Sequence, residues 1–371
     1  MTSGKHAVDR KRGEITQLRV FTFLALFSIC CLLPAVLPAY TVHSKAAAVM
    51  DAETGNLLYA KNPELKCPPA STTKLMTAIV SIEHLDLNAV VTISRNASRV
   101  SPHKVGFREG ERVAVEELLY AALLGSANDA AVALAEAAAG SEHDFVRLMN
   151  SKAFQIGARN TRFVNSHGLP GPGQYTTAAD LAKIMQYSMH YPKLKQIINT
   201  RVTEISTESG RSMSLRNTNR LLWSEEGLIG GKTGYTRLAR HCFVCAAGRG
   251  EDKVVVALLG SPSRDNLWRE SGFLIDKGFD ALKNDEHPVI YLAKTDDVLA
   301  PVNVSKRKSK RLKNKMKQKK NNFVSVSKNP KSGGRDIIAK KKSGIKMQAK
   351  HKGKQKKYRM AKKGSFEKTK G

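Results

Sequence analysis

The chain has 371 residues, of which 62 are lysine or arginine and 32 are aspartate or glutamate, giving a formal net charge of +30. Hydrophobic residues make up 41% of the sequence, which is enough for a globular core in a chain of this length. Only five cysteines are present, and two of them are adjacent in an apolar run, which argues against a disulfide framework.

The N-terminus is typical of an export signal. Several basic residues precede Val20–Ala39, a stretch without any charge, and this is the arrangement of a secretory signal peptide. Cleavage after Ala39 is the favoured interpretation, and an uncleaved membrane anchor is the alternative. Pro34 and Pro38 weaken a spanning helix. In either case we expect the remaining chain to lie outside the cytoplasmic membrane.

The pattern after residue 44 predicts one α+β domain with strands at both ends and helices between them. Residues 71–190 are predicted to be mainly helical, and a final helix is predicted over Asn266–Leu282. Apolar runs and alternation predict strands over Lys45–Asp51, Leu57–Lys61, His241–Ala247 and Lys253–Gly260. The predicted organisation is a signal or anchor at 1–39, a domain at 44–282, a linker at 283–304 and a tail at 305–371.

Ser71-Thr72-Thr73-Lys74 places a serine and a lysine three residues apart at a predicted helix start. Pro68 and Pro69 precede it, and an apolar stripe with helical spacing follows. Residues i and i+3 share one helix face, so the Lys74 amine can reach the Ser71 hydroxyl. Burial and a second cation would favour the neutral amine, which can remove the hydroxyl proton. The alternative is a helix-capping serine beside a solvated lysine.

Ser126-Ala127-Asn128 lies on a predicted loop between two helices. The first helix covers Glu116–Leu124 and is stopped by Gly125, and the second begins at Asp129. Such a loop can project Ser126 and Asn128 into a cleft. The alternative is that one of them only caps the second helix.

Lys232-Thr233-Gly234 follows the pair Gly230-Gly231. Paired glycines let a strand edge approach a ligand closely. The Lys232 ammonium and the Thr233 hydroxyl suit a substrate carboxylate. The alternative is a glycine-rich turn with an exposed lysine.

In this order and with these flanks, the three motifs resemble those of the penicillin-binding protein and serine β-lactamase superfamily. Other occurrences of the Ser-x-x-Lys pattern, such as Ser305/Lys308 and Ser343/Lys346, lie in polar sequence that cannot build a pocket. Over residues 44–282 the chain looks most like the low-molecular-mass D-alanyl-D-alanine carboxypeptidases. Further similar segments are Ala48–Tyr59, Asn165–Leu169, Thr177–Asp180 and Asn217–Leu222.

The resemblance implies a β-lactamase/transpeptidase-like fold, with an antiparallel sheet flanked by helices and a helical lobe. It also implies removal of the terminal D-alanine from peptidoglycan stem peptides through a Ser71 acyl-enzyme, with β-lactams as inhibitors. Lys74 would be the base, and Ser126 would relay a proton to the leaving amine. The Ser71 and Tyr235 backbone N–H groups would form the oxyanion hole. The implied substrate-binding residues are Asn128, Lys232, Thr233, Gly234 and Tyr235.

Other functions share parts of this pattern. Class A β-lactamases use a glutamate on a loop past the second motif, whereas residues 160–169 contain no acid. We therefore expect β-lactams to acylate Ser71 and leave slowly. A D,D-endopeptidase acting on crosslinks has the same motifs. A non-catalytic wall-binding scaffold that uses the basic tail is the third interpretation.

The tail carries most of the net charge. Residues 305–371 contain 27 lysines and arginines but only two acidic residues, Asp336 and Glu367. Few apolar residues and strong like-charge repulsion predict a disordered segment. Three interpretations remain open: binding to anionic wall polymers or lipid headgroups, a solvated extension without a partner, and nucleic-acid binding. Export disfavours the last of these.

The remaining candidate residues point to no cofactor. No histidine or acid cluster has metal-ligand spacing, so no metal site is predicted. Cys242 and Cys245 lie three apart on a predicted strand and face opposite sides, while a partner for Cys67 stays open. Family members usually have an arginine after the last strands that holds the terminal carboxylate. Arg264 is the nearest candidate, but its spacing differs from the expected one and it is left unassigned.

Overall fold

The computed structural model describes residues 40–284 and 289–291. The predicted export signal, with Cys30 and Cys31, and the basic tail lie outside these residues, as does most of the predicted linker. Within the part that is described, no helix is both long and apolar enough to cross a membrane.

A six-stranded sheet forms the centre of the fold. Its strand order is β10-β2-β1-β9-β8-β7, and every neighbouring pair is antiparallel except β10 with β2. The strands are β1 (Ala46–Asp51), β2 (Leu57–Lys61), β7 (Leu228–Thr236), β8 (Arg240–Arg249), β9 (Asp252–Ser261) and β10 (Val289–Tyr291). Strand β7 is therefore a sheet edge, and it carries the third motif.

Two small antiparallel sheets of two strands each accompany the central sheet, and the second of them is a hairpin. One pairs β3 (Val90–Thr92) with β4 (Arg112–Ala114), and the other pairs β5 (Val202–Ser206) with β6 (Ser212–Arg216). Two short 3₁₀ helices, Ala70–Thr73 and Arg220–Trp223, lie close to β7.

Eight α-helices are present in the described residues. They are α1 (Lys74–His84), α2 (Arg95–Arg99), α3 (Val115–Leu123), α4 (Asn128–Ala139), α5 (Glu142–Gln155), α6 (Ala178–Ser188), α7 (Pro192–Asn199) and α8 (Arg264–Asn284). Their ends follow ordinary capping rules. Ser141 and Thr177 accept hydrogen bonds at the starts of α5 and α6, and Gly140 ends α4 with a positive φ of 76°.

The two faces of the sheet bury two separate hydrophobic cores. In β8, Cys242 and Val244 face the core shared with α1, α3 and α4, whereas Phe243 and Cys245 face the core beneath α8. This is the alternation of a strand that is buried on both faces. Each burial removes apolar surface from water and contributes roughly 25 cal/mol per Å². The helical lobe on the first face positions the first two motifs opposite β7.

The predicted fold class is confirmed, as are the four predicted strands and the final helix, with ends that shift by at most two residues. Two details differ from the sequence prediction. Asn128 is the first residue of α4 and not a loop residue, and strand β10 falls inside the predicted linker. Cys67, Cys242 and Cys245 are buried free thiols.

Candidate active site

The nucleophile candidate lies at the junction of a 3₁₀ helix with α1. Ser71 belongs to the 3₁₀ turn, whose start is fixed by a hydrogen bond from Thr72 Oγ1 to the Pro69 carbonyl (2.7 Å). Ala70 precedes it with a φ of 50°, a left-handed conformation that is uncommon for a residue with a β-carbon. Such strain concentrates at functional sites. Ser71 is half-buried, so its hydroxyl borders the cavity.

Lys74 is fully buried, with 0% of its surface exposed. Its Nζ lies 3.2 Å from Ser71 Oγ, 2.7 Å from Asn128 Oδ1 and 2.8 Å from the His167 carbonyl oxygen. Burial lowers the pKa of Lys74 well below 10.5, and the positive charge of Lys232 lowers it further. The negative charge of Asp129 opposes this shift only in part.

These three contacts give the neutral amine a defined orientation. The Asn128 amide oxygen and the His167 carbonyl oxygen can only accept hydrogen bonds. A neutral –NH₂ group therefore donates its two N–H bonds to them and directs its lone pair at Ser71 Oγ. The geometry suits removal of the Ser71 proton by Lys74.

The second motif faces the same point from the turn before α4. Ser126 has a φ of 58°, so its backbone is also in the left-handed region. The Asn128 side chain donates to the Pro102 carbonyl, and its backbone N–H donates to the His103 carbonyl at 2.8 Å. The amide is therefore held with its oxygen toward Lys74.

Asp129 secures the loop beside this motif. The carboxylate is fully buried and accepts backbone N–H bonds from Val105 (3.3 Å), Gly106 (2.9 Å) and Phe107 (3.1 Å). Backbone donors satisfy a buried carboxylate without a direct ion pair. Asp129 thus fixes the loop whose carbonyls hold Asn128.

Lys232 brings a second buried ammonium to the site from the edge strand β7. It is 1% exposed, and its Nζ donates to Ser126 Oγ at 2.9 Å and to the Thr233 carbonyl at 3.1 Å. Burial lowers the pKa of Lys232 to about 7. The lysine of the third motif therefore contacts the serine of the second motif directly.

Strand β7 approaches the Ser71 turn closely at Gly234. A β-carbon at position 234 would lie 2.9 Å from the Ser71 backbone nitrogen and 3.1 Å from that of Thr72. A side chain at this position would force the strand or the turn to shift, so glycine keeps β7 close to the Ser71 turn. The Tyr235 side chain is half exposed and its ring lies 4.5 Å from that of His241.

The loop that supplies the His167 carbonyl is fixed from two sides. Glu142 Oε1, at the start of α5, accepts from Ser166 N (2.9 Å) and Ser166 Oγ (2.6 Å). Gly168 packs against the Ser71 turn, where a β-carbon would lie 1.8 Å from the Ala70 carbonyl oxygen. Burial lowers the pKa of the His167 ring to about 4, so this histidine is neutral at physiological pH.

A cavity of about 680 Å³ begins at Ser71 and Ser126 and continues along β7. Its lining also includes Arg216, Arg220, Trp223, Arg264 and Trp268. Arg264, which the sequence left unassigned, thus borders the cavity. No carboxylate belongs to the lining among the described residues.

The structure brings all eight sequence-selected site residues to one place, and their individual roles stay predictions. Sequence reasoning missed Asp129, Glu142, the His167 carbonyl and the arginines at positions 216 and 220. An acid directly after the Ser-x-Asn motif was a usable indication for Asp129. The described residues hold no cluster of three metal-ligating side chains.

The sequence model of the D-alanyl-D-alanine carboxypeptidase family matches residues 34–263. The D-alanyl-D-alanine carboxypeptidase DacF of Bacillus subtilis is 32% identical over 273 residues, which are 72% of this chain and 69% of that protein. A D-alanyl-D-alanine endopeptidase of Pseudomonas aeruginosa is 37% identical over 207 residues, covering 54% of this chain and 66% of that one. The crystal structure of the Streptomyces K15 DD-transpeptidase superposes with a TM-score of 0.63 at 31% identity, covering 66% of this chain and all of that one.

Proposed function

This chain belongs to the D-alanyl-D-alanine carboxypeptidase family, and we propose that it removes the terminal D-alanine from peptidoglycan stem peptides with Ser71 as nucleophile. The enzyme is a serine-type D-alanyl-D-alanine carboxypeptidase, which is a hydrolase. One observation carries the assignment of residues: a buried Lys74 Nζ lies 3.2 Å from Ser71 Oγ while two fixed acceptors occupy its other donors.

Acylation begins with attack of Ser71 Oγ on the carbonyl carbon of the penultimate D-alanine. Lys74 takes the hydroxyl proton, and the N–H groups of Ser71 and Tyr235 stabilise the negative oxygen of the tetrahedral intermediate. A donor of this kind typically contributes about 3–4 kcal/mol to lowering the barrier. The close approach of Gly234 to the Ser71 backbone supports this pairing of donors.

Collapse of the intermediate breaks the C–N bond and releases D-alanine. Ser126 passes a proton to the leaving amine, and its contact with Lys232 (2.9 Å) supports a relay in which Lys232 replaces the proton that Ser126 gives up. Water then hydrolyses the Ser71 ester, and the acid is released. The overall reaction consumes one water molecule and leaves the enzyme unchanged.

The substrate is held by groups that flank the nucleophile. Lys232 and the Thr233 hydroxyl bind the terminal carboxylate, the Asn128 amide contacts the peptide backbone, and Gly234 lets the substrate lie against β7. Thr233 Oγ1 lies 2.7 Å from Thr218 Oγ1, which fixes the hydroxyl at the cavity wall.

β-Lactams acylate the same serine, as the family implies. No acidic residue occurs in residues 160–169, where class A β-lactamases carry a glutamate that activates water. Slow release of the penicilloyl group follows from that absence, and rapid turnover of penicillin by the purified protein would contradict it.

An endopeptidase that cleaves crosslinks would use the same acyl-enzyme, and relatives from Pseudomonas aeruginosa and Escherichia coli carry that name. The cavity volume of about 680 Å³ is compatible with a leaving group larger than D-alanine. A crosslinked peptide dimer and a linear pentapeptide, assayed side by side, separate the two activities by the products that they release.

Residues 1–39 form the export signal or anchor, 44–282 the catalytic domain and 305–371 a basic tail, while the segment 283–304, predicted as a linker, includes strand β10 (Val289–Tyr291), which pairs with β2. The enzyme therefore acts in the periplasm or cell-wall space in cell-wall biogenesis and the maintenance of cell shape. The tail binds anionic wall polymers or lipid headgroups through its 27 basic residues. Association of the enzyme with wall or membrane fractions is expected to fall with salt and to disappear on deletion of residues 305–371. Unchanged fractionation would contradict this role.

The proposed function is tested by D-alanine release from diacetyl-L-Lys-D-Ala-D-Ala. Wild-type enzyme should release D-alanine, and Ser71→Ala should reduce kcat/KM at least about a thousandfold and abolish labelling by fluorescent penicillin. Ser305→Ala, in the stray Ser-x-x-Lys copy of the tail, is the matched control and should change neither signal. Labelling that persists in Ser71→Ala would exclude this serine as the nucleophile.

A further inference from the structure

One short segment, residues 216–220, contributes four residues to the lining of the cavity. Asn217 and Asn219 in this segment are buried, and their side chains hold it in place through hydrogen bonds. Asn217 Nδ2 donates to the Thr200 carbonyl (2.9 Å), and Asn219 Oδ1 accepts from Leu221 N (3.1 Å). The alternate residues Arg216, Thr218 and Arg220 are exposed and line the cavity. The segment therefore presents two arginines, which we call the arginine pair, on either side of one threonine.

This threonine connects the arginine pair to the reacting end of the substrate. Thr218 Oγ1 lies 2.7 Å from Thr233 Oγ1, the hydroxyl proposed to bind the terminal carboxylate. Through this contact, the segment that carries the arginine pair adjoins the group proposed to bind the carboxylate of the leaving residue.

Within residues 40–284, the arginine pair forms no ion pair with a carboxylate. Arg211 and Arg249 form ion pairs with Glu111, Glu225 and Asp276 at 2.6–3.2 Å. By contrast, Arg216 and Arg220 have no carboxylate within 4.0 Å in residues 40–284, and Arg264 adds a third unpaired guanidinium to the same cavity. The Arg216 guanidinium instead lies over the Trp223 ring, 5.1 Å from its centroid. Stacking on an aromatic face orients the guanidinium and leaves its donors free.

The cavity is also larger than binding of a terminal D-alanine requires. Its volume of about 680 Å³ is typical of pockets that enclose drug-sized ligands. In the proposed function, Lys232 and Thr233 bind the single carboxylate of D-alanine. Guanidinium groups that form no ion pair within residues 40–284 are suited to recognition of another carboxylate.

We propose that Arg216 and Arg220 form a subsite for a second carboxylate on the leaving group, so that the enzyme favours leaving groups more acidic than D-alanine. This inference rests on the proposed function and names its preferred substrate class. The chemical step is unchanged: the Ser71 O–C bond forms, the C–N bond breaks, and the leaving amine takes up the proton. The second carboxylate belongs either to the side chain of an acidic terminal D-residue or to a peptide that is itself the leaving group.

The first arm of the test uses diacetyl-L-Lys-D-Ala-D-Xaa substrates in which Xaa is Ala, Gln or Glu. D-Gln and D-Glu have nearly the same shape and differ in charge, so the ratio of their kcat/KM values isolates recognition of the carboxylate. We expect wild-type enzyme to favour D-Glu over D-Gln about fivefold at low salt, an effect of the size that exposed charge pairs produce. The ratio should fall toward one as salt screens the charges.

The variants Arg216→Gln and Arg220→Gln should each lower the ratio, and the double variant should bring it close to one. Arg201→Gln, an exposed arginine just before strand β5 of the same hairpin and outside the cavity lining, is the matched control and should keep the wild-type ratio. Because each ratio is taken within one protein, partial unfolding cancels, and penicillin labelling of Ser71 measures the folded fraction.

The second arm uses a crosslinked peptide dimer and the same dimer with the carboxylates of its leaving half amidated. If wild-type enzyme prefers the unamidated dimer and the double variant does not, the subsite binds a carboxylate of a peptide leaving group. A preference confined to D-Glu assigns it to a side chain. The proposal is overturned if wild-type enzyme shows neither preference, or if the preference survives in the double variant. Failure to release D-alanine at all would instead overturn the proposed function.

Discussion

The two ends of the active-site cavity carry positive charge in opposite environments. At the catalytic end, formed by Ser71, Lys74, Ser126 and Lys232, both ammonium groups are at most 1% exposed. At the arginine end, formed by Arg216, Arg220 and Arg264, all three side chains reach solvent. The catalytic end buries its cations among a few fixed acceptors, whereas the guanidinium groups of the arginine end form no ion pair with a carboxylate of residues 40–284.

This difference shows how burial decides what a cation can do. Burial lowers the pKa of both lysines, so a neutral amine is accessible to act as a base. A guanidinium stays protonated in any such site and can only bind or steer anions. The catalytic end therefore suits proton transfer, and the arginine end suits recognition.

Replacing the buried Lys74 by arginine tests most directly whether a lysine that can lose its proton is required. Lys74→Arg keeps the positive charge but supplies no group that can lose its proton, so acylation by a β-lactam should slow about 10²–10⁴-fold. Stopped-flow or mass-spectrometric acylation rates measure this. The exposed Lys104→Arg is the matched control. A Lys74→Arg enzyme that keeps a tenth of the wild-type rate would remove Lys74 from the role of base.

Gly168→Ala disturbs the catalytic end without altering any charge. The new methyl group would meet the Ala70 carbonyl oxygen, so the loop carrying the His167 carbonyl must move away from Ser71. We expect activity to fall more than tenfold and the free energy of unfolding to fall by about 2 kcal/mol. Gly157→Ala is the control, because Gly157 also has a positive φ (78°) but nothing within 4 Å. Equal effects of the two substitutions would mean that backbone strain alone is responsible.

Lys232→Gln tests the coupling between the two buried ammonium groups. Acylation requires neutral Lys74, so its rate rises as pH increases through the pKa of Lys74. After burial, the charge of Lys232 is the next cause that lowers this pKa. Removing that charge should raise it and move the acid limb of the rate–pH profile to higher pH. The exposed Lys253→Gln should leave the limb in place, and an unmoved or lowered limb in Lys232→Gln would contradict the coupling.

Glu142→Ala should produce the smallest of these effects, because Glu142 acts only through the loop at 166–168. Loss of the acceptor for Ser166 should reduce kcat about three- to tenfold with little change in KM. Glu142→Gln retains an acceptor oxygen and should recover most of the activity. A change confined to KM, or no recovery by glutamine, would exclude this positioning role.

Much of the catalytic end could be predicted from the sequence because its chemistry lies in short motifs with tight spacing. Ser71 and Lys74 share one turn, and Lys232 follows glycines that allow close approach. The central strands were equally accessible, since β8 and β9 are continuous apolar runs. The edge strand β10 was missed because three residues are too few to carry a period.

The arginine end could not be predicted because it has no local pattern. Arg216, at the end of β6, and Arg264, at the start of α8, are far apart in the chain and line one cavity only in the folded structure. The His167 carbonyl illustrates a second limit. A backbone acceptor is available at every residue, so no residue type marks the one that orients Lys74.

The ionisation of Lys74 in the free enzyme tests the central claim most directly. Titration of lysine side chains by ¹³C NMR, with Lys74→Arg identifying the resonance, gives the pKa of this residue without any assumption about the rate-limiting step. The buried site predicts a pKa well below 10.5. A Lys74 that titrates at or above 10.5 would contradict a neutral lysine as the base that activates Ser71.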